Sequence, residues 1–97
     1  MRLKFLRGLI LDFLHRIYPR EIEKVGIIEA FYKDWKPRDI ERALGYLRDK
    51  GYVEEKKIPH PVRRYEMIRI YRLTPVGIDI LERTIEDNGI ALDDEEV

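Results

Sequence analysis

The chain has 97 residues, a length that suits one compact domain with a single hydrophobic core. It contains no cysteine or serine, which excludes a serine or thiol nucleophile, a disulfide and a thiolate metal site. The formal net charge is zero, but residues 1–85 hold 19 basic and 13 acidic residues, a balance of +6, whereas residues 86–97 hold six acidic residues and no basic one. A basic body followed by an acidic tail permits an anionic partner for the body.

Charged residues make up 39% of the chain, and asparagine occurs once and glutamine not at all. This composition is typical of heat-adapted proteins. The apolar N-terminus is interrupted by Lys4, Arg7, Asp12 and Arg16, so it matches neither a membrane span nor a signal peptide. We therefore expect a cytoplasmic protein with no membrane partner.

Two helices are predicted in the N-terminal third. Apolar residues recur at three- and four-residue spacing over 2–17, which indicates an amphipathic helix, and Tyr18-Pro19-Arg20 breaks it. A second helix is predicted from about Glu21 to Lys33. Its expected buried side consists of Ile22, Val25, Ile27 or Ile28, and Phe31.

A third helix and two strands follow. The helix is predicted over 37–50, with Pro37 at its first position and Gly51 at its left-handed C-terminal cap. The strands are predicted over 52–58 and 65–73 because these segments are rich in tyrosine, isoleucine and valine. Pro59-His60-Pro61 marks the tip of the hairpin that they form.

A fourth helix and a tail complete the chain. Thr74-Pro75 predicts an N-cap and a first-turn proline for a helix that continues to about Asp87. Its apolar stripe is Ile78, Leu81 and Ile85. We expect residues 1–89 to form one domain and residues 90–97 to form an acidic, mobile tail.

The third helix has two distinct faces. Ile40, Ala43, Leu44 and Leu47 share one side and are expected to pack on the other helices. The opposite side carries Arg38, Arg42 and Gly45, flanked by Tyr46. Arginine can donate two hydrogen bonds to guanine, and glycine permits close approach, so this face can enter a major groove. The alternative is a solvated surface.

The hairpin tip is rich in positive charge. It carries Lys56, Lys57, His60, Arg63 and Arg64, and no acidic residue lies between Lys56 and Tyr65. Such a hairpin can contact phosphates or enter a minor groove. The alternative is a hairpin whose charges prevent edge-to-edge pairing.

Two segments resemble a known family. Ile-Glu-Arg-Ala-Leu-Gly-Tyr-Leu-Arg-Asp-Lys-Gly-Tyr-Val (40–53) resembles the recognition helix and following strand of winged helix-turn-helix regulators. Tyr-Arg-Leu-Thr-Pro-Val-Gly (71–77) resembles the strand-to-helix junction of MarR-type and PadR-type regulators. The resemblance implies a mainly α fold with a small β-hairpin, of the α+β class, in the order helix-helix-helix-strand-strand-helix.

The resemblance also implies a function, which is sequence-specific binding of double-stranded DNA and regulation of transcription. The third helix would lie in the major groove, with Arg38, Arg42 and Tyr46 reading bases. The 56–64 wing would contact the DNA backbone through Lys56, Lys57, His60, Arg63 and Arg64.

The sequence departs from the family pattern in three ways. Lys36-Pro37 replaces the usual serine or threonine cap, and Glu41 and Asp49 place negative charge near the groove face. The long second dimerisation helix of MarR-type proteins is absent, so no subfamily is assigned. A homodimer through the N-terminal helix and/or the C-terminal helix is nevertheless expected, because DNA-binding modules of this size gain affinity by pairing on two half-sites and the first helix carries enough apolar residues to supply an interface. The alternative is that these residues simply fill the core.

Other functions remain open. A winged helix can also serve as a protein–protein interaction module, for example as a phage or mobile-element accessory protein, and the acidic tail favours this alternative. The tail could also fold back on the basic face and compete with DNA. An enzyme is not expected, since no nucleophile, metal set or acid–base pair stands out, and no cofactor or metal is expected.

Overall fold

The computed structural model describes residues 3–92, which form four helices and a three-stranded antiparallel sheet. This confirms the α+β class. In chain order the elements are α1 (Leu3–Ile17), β1 (Ile22–Glu23), α2 (Lys24–Phe31), α3 (Pro37–Asp49), β2 (Val53–Pro59), β3 (Met67–Leu73) and α4 (Pro75–Leu81).

β1 differs from the sequence-based prediction, which placed residues 21–33 in one helix. Ile22 and Glu23 pair antiparallel with Tyr71 and Ile70 of β3, so the sheet order is β1-β3-β2. The pairing satisfies backbone groups on one edge of β3, and this tertiary gain outweighs the helical preference of two residues. The second helix consequently begins only at Lys24.

The junctions on either side of the hairpin form as predicted. Gly51 follows α3 with a φ of 82°, the left-handed conformation that glycine adopts without strain. At the start of α4 the Thr74 hydroxyl accepts a hydrogen bond from the Gly77 N–H at 3.1 Å. The same hydroxyl donates to the Gly51 carbonyl at 2.6 Å, so the two junctions are fastened to each other.

The fourth helix is shorter than predicted, ending at Leu81 and not near Asp87. Arg83 has a φ of 64°, and the Thr84 N–H bonds to the Asp79 carbonyl at 2.9 Å. This is the hydrogen bond of a Schellman motif, which normally has glycine in the left-handed position. Because an arginine fills that position here, the sequence gives no recognisable signal that α4 ends at Leu81.

One hydrophobic core joins all four helices and the sheet. The predicted packing face of α3 is confirmed, since its four apolar residues are almost fully buried. α1 also contributes four residues to the core, but Phe5 and Leu9 of the same helix remain 54% and 40% exposed. No helix in the described part of the chain is both long and apolar enough to span a bilayer. The buried residues are Leu6, Ile10, Leu11, Leu14, Ile27, Ile40, Ala43, Leu44, Leu47, Tyr52, Val53, Tyr71, Leu73, Ile80 and Ile90.

The packed body extends further than residue 89. Ile90 is buried in the core, and the Ala91 N–H donates to the Lys4 carbonyl of α1 at 3.1 Å. The Ala91 carbonyl lies against Gly8, where any side chain would collide with it. The packed body therefore includes residues 90–92, which were predicted to belong to the tail, and residues 93–97 lie outside the described part of the chain.

Candidate nucleic-acid interface

Arg38 and Arg42 lie one turn apart on the exposed face of α3, as predicted. Neither arginine forms an ion pair with any residue between 3 and 92. Gly45 continues the same face, and a Cβ added there would meet only the end of the Arg48 side chain, at 3.7 Å. The packing of the protein therefore does not require a glycine at this position, and the helix backbone is open to a close ligand.

The two acidic residues near this face are balanced by neighbours. The Lys24 ammonium at the start of α2 lies 3.1 Å from the Glu41 carboxylate. The Arg48 guanidinium lies 3.0 Å from the Asp49 carboxylate. Their negative charge consequently opposes an anionic ligand less than the sequence suggests.

Tyr46, which was predicted to read bases, is half-buried on α3. Its half-buried ring packs under the Arg7 guanidinium, 3.7 Å from the ring centroid, and its hydroxyl lies against Gly89. The Arg7 Nη1 atom also donates to the Gly89 carbonyl at 3.0 Å. Tyr46 thus fastens the C-terminal segment to α1 and α3 in the free protein.

Glu55 connects α3 to the hairpin. Its carboxylate accepts a hydrogen bond from the Tyr71 hydroxyl at 2.5 Å and one from Arg48 at 3.1 Å. Burial raises the pKa of Glu55, but the hydrogen bonds from Tyr71 and Arg48 outweigh burial and hold the pKa below its ordinary value. The ionised carboxylate therefore fixes the hairpin relative to the last turn of α3.

Beyond Glu55 this side of the sheet becomes strongly basic. Lys57 of β2 stands directly opposite Arg69 of β3, two residues beyond the Glu55–Tyr71 pair and hence on the same face. Both side chains are exposed, and no acidic residue forms an ion pair with either one within residues 3–92. Like charges directly opposite each other destabilise a hairpin. An anion bound between them would offset this repulsion, so the pair is a candidate anion site.

Arg69 was not predicted as a functional residue. The signal was present in the sequence, because Arg69 lies two residues before the buried Tyr71 and so shares its face. Its pairing with Lys57 could be found only once the register of the strands was known.

The opposite face of the hairpin is electrically balanced. The Lys56 ammonium lies 2.7 Å from the Glu21 carboxylate, and Arg72 lies 2.8 Å from Glu54. The hydrogen bond with Glu21 raises the pKa of Lys56. Lys56 was predicted as a backbone contact, but it lies on the other side of the sheet from Lys57.

The tip loop, residues 60–66, is shaped by His60. The Nδ1 atom of His60 accepts hydrogen bonds from the backbone N–H groups of Val62 and Arg63, at 3.0 and 2.9 Å. The His60 N–H in turn donates to the Glu66 carbonyl at 3.0 Å. His60 is therefore a structural residue of the loop, with only its Nε2 atom left for a ligand.

Two predicted cations of the tip differ in their surroundings. Arg63 lies 3.3 Å from the Glu66 carboxylate, a weak and exposed ion pair that a phosphate could replace. Arg64 is exposed and forms no ion pair with a described residue. Five cations of α3 and the β2–β3 hairpin form no ion pair within residues 3–92, and we call them the basic surface: Arg38, Arg42, Lys57, Arg64 and Arg69.

The C-terminal segment is held by Asp87. Its carboxylate accepts hydrogen bonds from the Tyr52 hydroxyl at 2.5 Å and from the Gly89 N–H at 2.7 Å, and the Lys50 ammonium lies 3.2 Å away. Burial and the bond to Asp87 raise the pKa of Tyr52 to about 12. The hydrogen bond from Tyr52 holds the pKa of Asp87 below its ordinary value.

A groove lined by both apolar and charged side chains lies between α1 and the end of α4. It has a volume of about 440 Å³. α1 contributes Phe5 and Leu9 to the lining, and Leu81 and Leu92 contribute apolar side chains from the C-terminal part of the chain. The charged lining residues are Asp12, Arg16, Glu82 and Arg83. Within residues 3–92 no group of three histidines or acids is arranged to hold a metal ion.

No family model matches the chain, and no curated protein sequence matches it either.

Proposed function

We propose that this protein is a winged helix-turn-helix protein that binds double-stranded DNA sequence-specifically and regulates transcription from the cytoplasm. The observation that carries the proposal is the basic surface, in which unpaired cations of α3 and of one face of the hairpin are joined through Arg48 and Glu55. α3 supplies Arg38 and Arg42 for base edges, and the wing supplies Lys57, Arg64 and Arg69 for phosphates.

The architecture supports the winged helix assignment. A short strand precedes α2 and pairs with β3, so a three-stranded sheet in the order β1-β3-β2 covers one side of three helices. The hairpin β2–β3 follows α3 directly and extends beyond the core, since its distal residues are exposed. A helix with an open face beside such a hairpin can occupy a major groove while the hairpin follows the adjacent backbone.

DNA binding is tested by fluorescence anisotropy on duplex DNA at about 50 and 200 mM salt. The three phosphate contacts of Lys57, Arg64 and Arg69 would give a logarithmic salt slope of about −2.7 per protomer, so affinity should fall by roughly 40-fold between these salt concentrations. Absence of any binding at the lower salt concentration would reject the proposal.

The hairpin provides a matched pair of variants for this measurement. Lys57→Ala with Arg69→Ala removes two positive charges from the face joined to α3, and Lys56→Ala with Arg72→Ala removes two from the opposite face. Only the first variant should reduce the salt slope, by about two contacts. Equal effects of the two variants would mean that net charge alone attracts the DNA.

Base reading requires its own variants. Arg38→Ala with Arg42→Ala should cost about 1–3 kcal/mol of discrimination per lost base contact. Selection of preferred duplexes from a random pool should therefore yield a weaker consensus for this variant than for the wild type. An unchanged consensus would assign both arginines to the backbone.

A homodimer is the second part of the proposal. Phe5 and Leu9 leave a large apolar area on α1 beside the groove lined by Leu81 and Leu92, and a second copy can cover it. Two copies would place their α3 helices about 34 Å apart for successive major grooves. Phe5→Ser with Leu9→Ser should convert the dimer to a monomer in analytical ultracentrifugation, whereas a monomeric wild type would reject this part.

The same groove favours a second candidate function, a protein–protein interaction module without DNA binding. This candidate predicts that the Phe5→Ser and Leu9→Ser variant loses a co-purifying protein. It also predicts that Arg38→Ala with Arg42→Ala has no effect on that complex, because these arginines lie on α3 and do not line the groove.

A further inference from the structure

The tip loop of the hairpin combines exposed apolar side chains with a fixed backbone. Val62 and Tyr65 are 81% and 95% exposed, the highest values among the large apolar residues of the described chain. Single exposed apolar residues are common on protein surfaces. Here, however, two lie three residues apart at the end of a projecting hairpin.

The loop that carries them is held by its own hydrogen bonds. His60 accepts from the backbone of Val62 and donates its own N–H to Glu66, while the Glu66 N–H closes a turn on the Arg63 carbonyl at 3.1 Å. A preformed loop loses little conformational entropy when it inserts into a ligand. The two apolar side chains thus project from a loop whose backbone is fixed by hydrogen bonds.

The charge around these side chains indicates the chemistry of the ligand. Arg64 lies between Val62 and Tyr65 in the sequence and has no ion-pair partner within residues 3–92. Lys57 and Arg69 follow on the adjoining strands, also without an ion pair. An apolar tip flanked by cations complements a narrow cleft whose walls are phosphates and whose stacked base pairs can part to admit an apolar side chain, which describes a DNA minor groove.

We propose that Val62 and Tyr65 form an apolar wedge that enters the minor groove, partly unstacks one base step and bends the duplex. This inference rests on the proposed DNA binding and adds deformation of the DNA to it. Wedges of this kind bend DNA by about 20–90° toward the major groove. Unstacking is easiest at flexible pyrimidine–purine steps such as TA, so the wedge also confers a sequence preference that needs no hydrogen bond to a base.

The test measures bending and binding on the same duplex. A duplex of about 20 base pairs with a central TA step carries a donor and an acceptor dye at its ends, and a bend of about 60° should shorten the end-to-end distance by roughly an eighth. Wild-type protein should raise the energy transfer. Val62→Ser with Tyr65→Ser should abolish the rise and leave the salt slope unchanged, because that slope counts phosphate contacts.

Two control variants accompany the test. Tyr65→Phe keeps the ring and should bend the duplex as the wild type does. Tyr32→Ser removes another exposed tyrosine, at the end of α2, and should have no effect on bending.

The outcomes separate the wedge from DNA binding itself. A wild-type protein that binds the duplex without bending it, or a double serine variant that bends it equally, would overturn the wedge and leave DNA binding standing. A wild-type protein that binds no duplex at low salt would overturn both. The double serine variant could instead lose binding to anionic phospholipid vesicles, or lose self-association, with DNA bending unchanged. Val62 and Tyr65 would then contact a membrane or a second copy and not DNA, and the proposal would be wrong.

Discussion

Lys57 and Arg69 lie directly opposite each other on β2 and β3, both exposed and neither in an ion pair within residues 3–92. The opposite face of the same hairpin has its cations paired with Glu21 and Glu54. A like-charge pair in this position opposes folding and favours an anionic ligand. Under the proposed function, the arrangement exchanges stability of the free protein for affinity toward DNA.

That exchange gives the first prediction. Lys57→Glu should raise the free energy of unfolding by about 0.5–1 kcal/mol, because a repulsive cross-strand pair becomes an attractive one. The same change should weaken duplex binding by at least tenfold at low salt, since it removes a cation and adds an anion. Urea unfolding and fluorescence anisotropy measure the two effects. A Lys57→Glu variant that is less stable than the wild type would show that Lys57 and Arg69 do not repel each other. An unchanged affinity for duplex DNA would show that Lys57 does not contact it.

The second prediction concerns Gly45. Gly45→Ala should stabilise α3 by about 0.5–1 kcal/mol, because alanine is the better helix former and an added Cβ meets only the flexible end of Arg48. If a DNA backbone approaches this face closely, the methyl group should nevertheless reduce affinity without changing the salt slope. Thermal unfolding and anisotropy measure the pair of effects. A gain in stability with unchanged affinity would place the DNA further from Gly45.

Local signals in the sequence were sufficient to predict much of this fold. The apolar spacing of α3 predicted its buried face and the exposure of Arg38 and Arg42, because both follow from helix geometry alone. Gly51 and Thr74 likewise marked the ends of α3 and the hairpin, since each satisfies backbone groups within a few residues.

Features that depend on distant partners were missed. Ile22 joins a strand only because β3 offers an unpaired edge. Tyr46 sits near the boundary between the two faces of α3, and contact with Arg7 and Gly89 draws it away from the exposed one. The pairing of Arg69 with Lys57 depends on the strand register, which no local pattern specifies.

The third prediction is a pH dependence that comes from Tyr52. Its pKa is about 12 in the folded protein, above the value of about 10 for an exposed tyrosine. The proton is therefore bound more tightly in the folded state, so the stabilisation is fully present below about pH 10 and is lost as pH rises toward 12. Over this window Tyr52 lowers the free energy of unfolding by up to about 1.4 kcal/mol per pH unit.

Removal of the Tyr52 hydroxyl tests this prediction. Tyr52→Phe should be less stable than the wild type at pH 7, since the hydrogen bond to Asp87 is lost, but its stability should fall less steeply between about pH 10 and 12. Tyr65→Phe, at an exposed tyrosine, should follow the wild-type curve. Urea unfolding followed by circular dichroism at several pH values measures all three proteins. Parallel curves for wild type and Tyr52→Phe would contradict the assignment.

The fourth prediction concerns the acidic C-terminus and depends on where the packed body ends. Truncation after Gly89 would remove Ile90 from the core and the hydrogen bond from Ala91 to Lys4, so it would confound charge with stability. Truncation after Leu92 removes Asp93, Asp94, Glu95 and Glu96 and leaves every described contact in place. If these acids compete with DNA for the basic surface, the shorter chain should bind duplex about three- to tenfold more tightly at about 50 mM salt, and the difference should shrink at higher salt as screening increases.

A full-length variant separates charge from chain length in that experiment. Replacing the four acids with their amides keeps all 97 residues and should reproduce the gain in affinity, since only the charge changes. Anisotropy at several salt concentrations compares it with the truncated chain and the wild type. A gain seen only on truncation would point to steric obstruction, and equal affinity of all three proteins would show that the acidic residues do not oppose DNA binding.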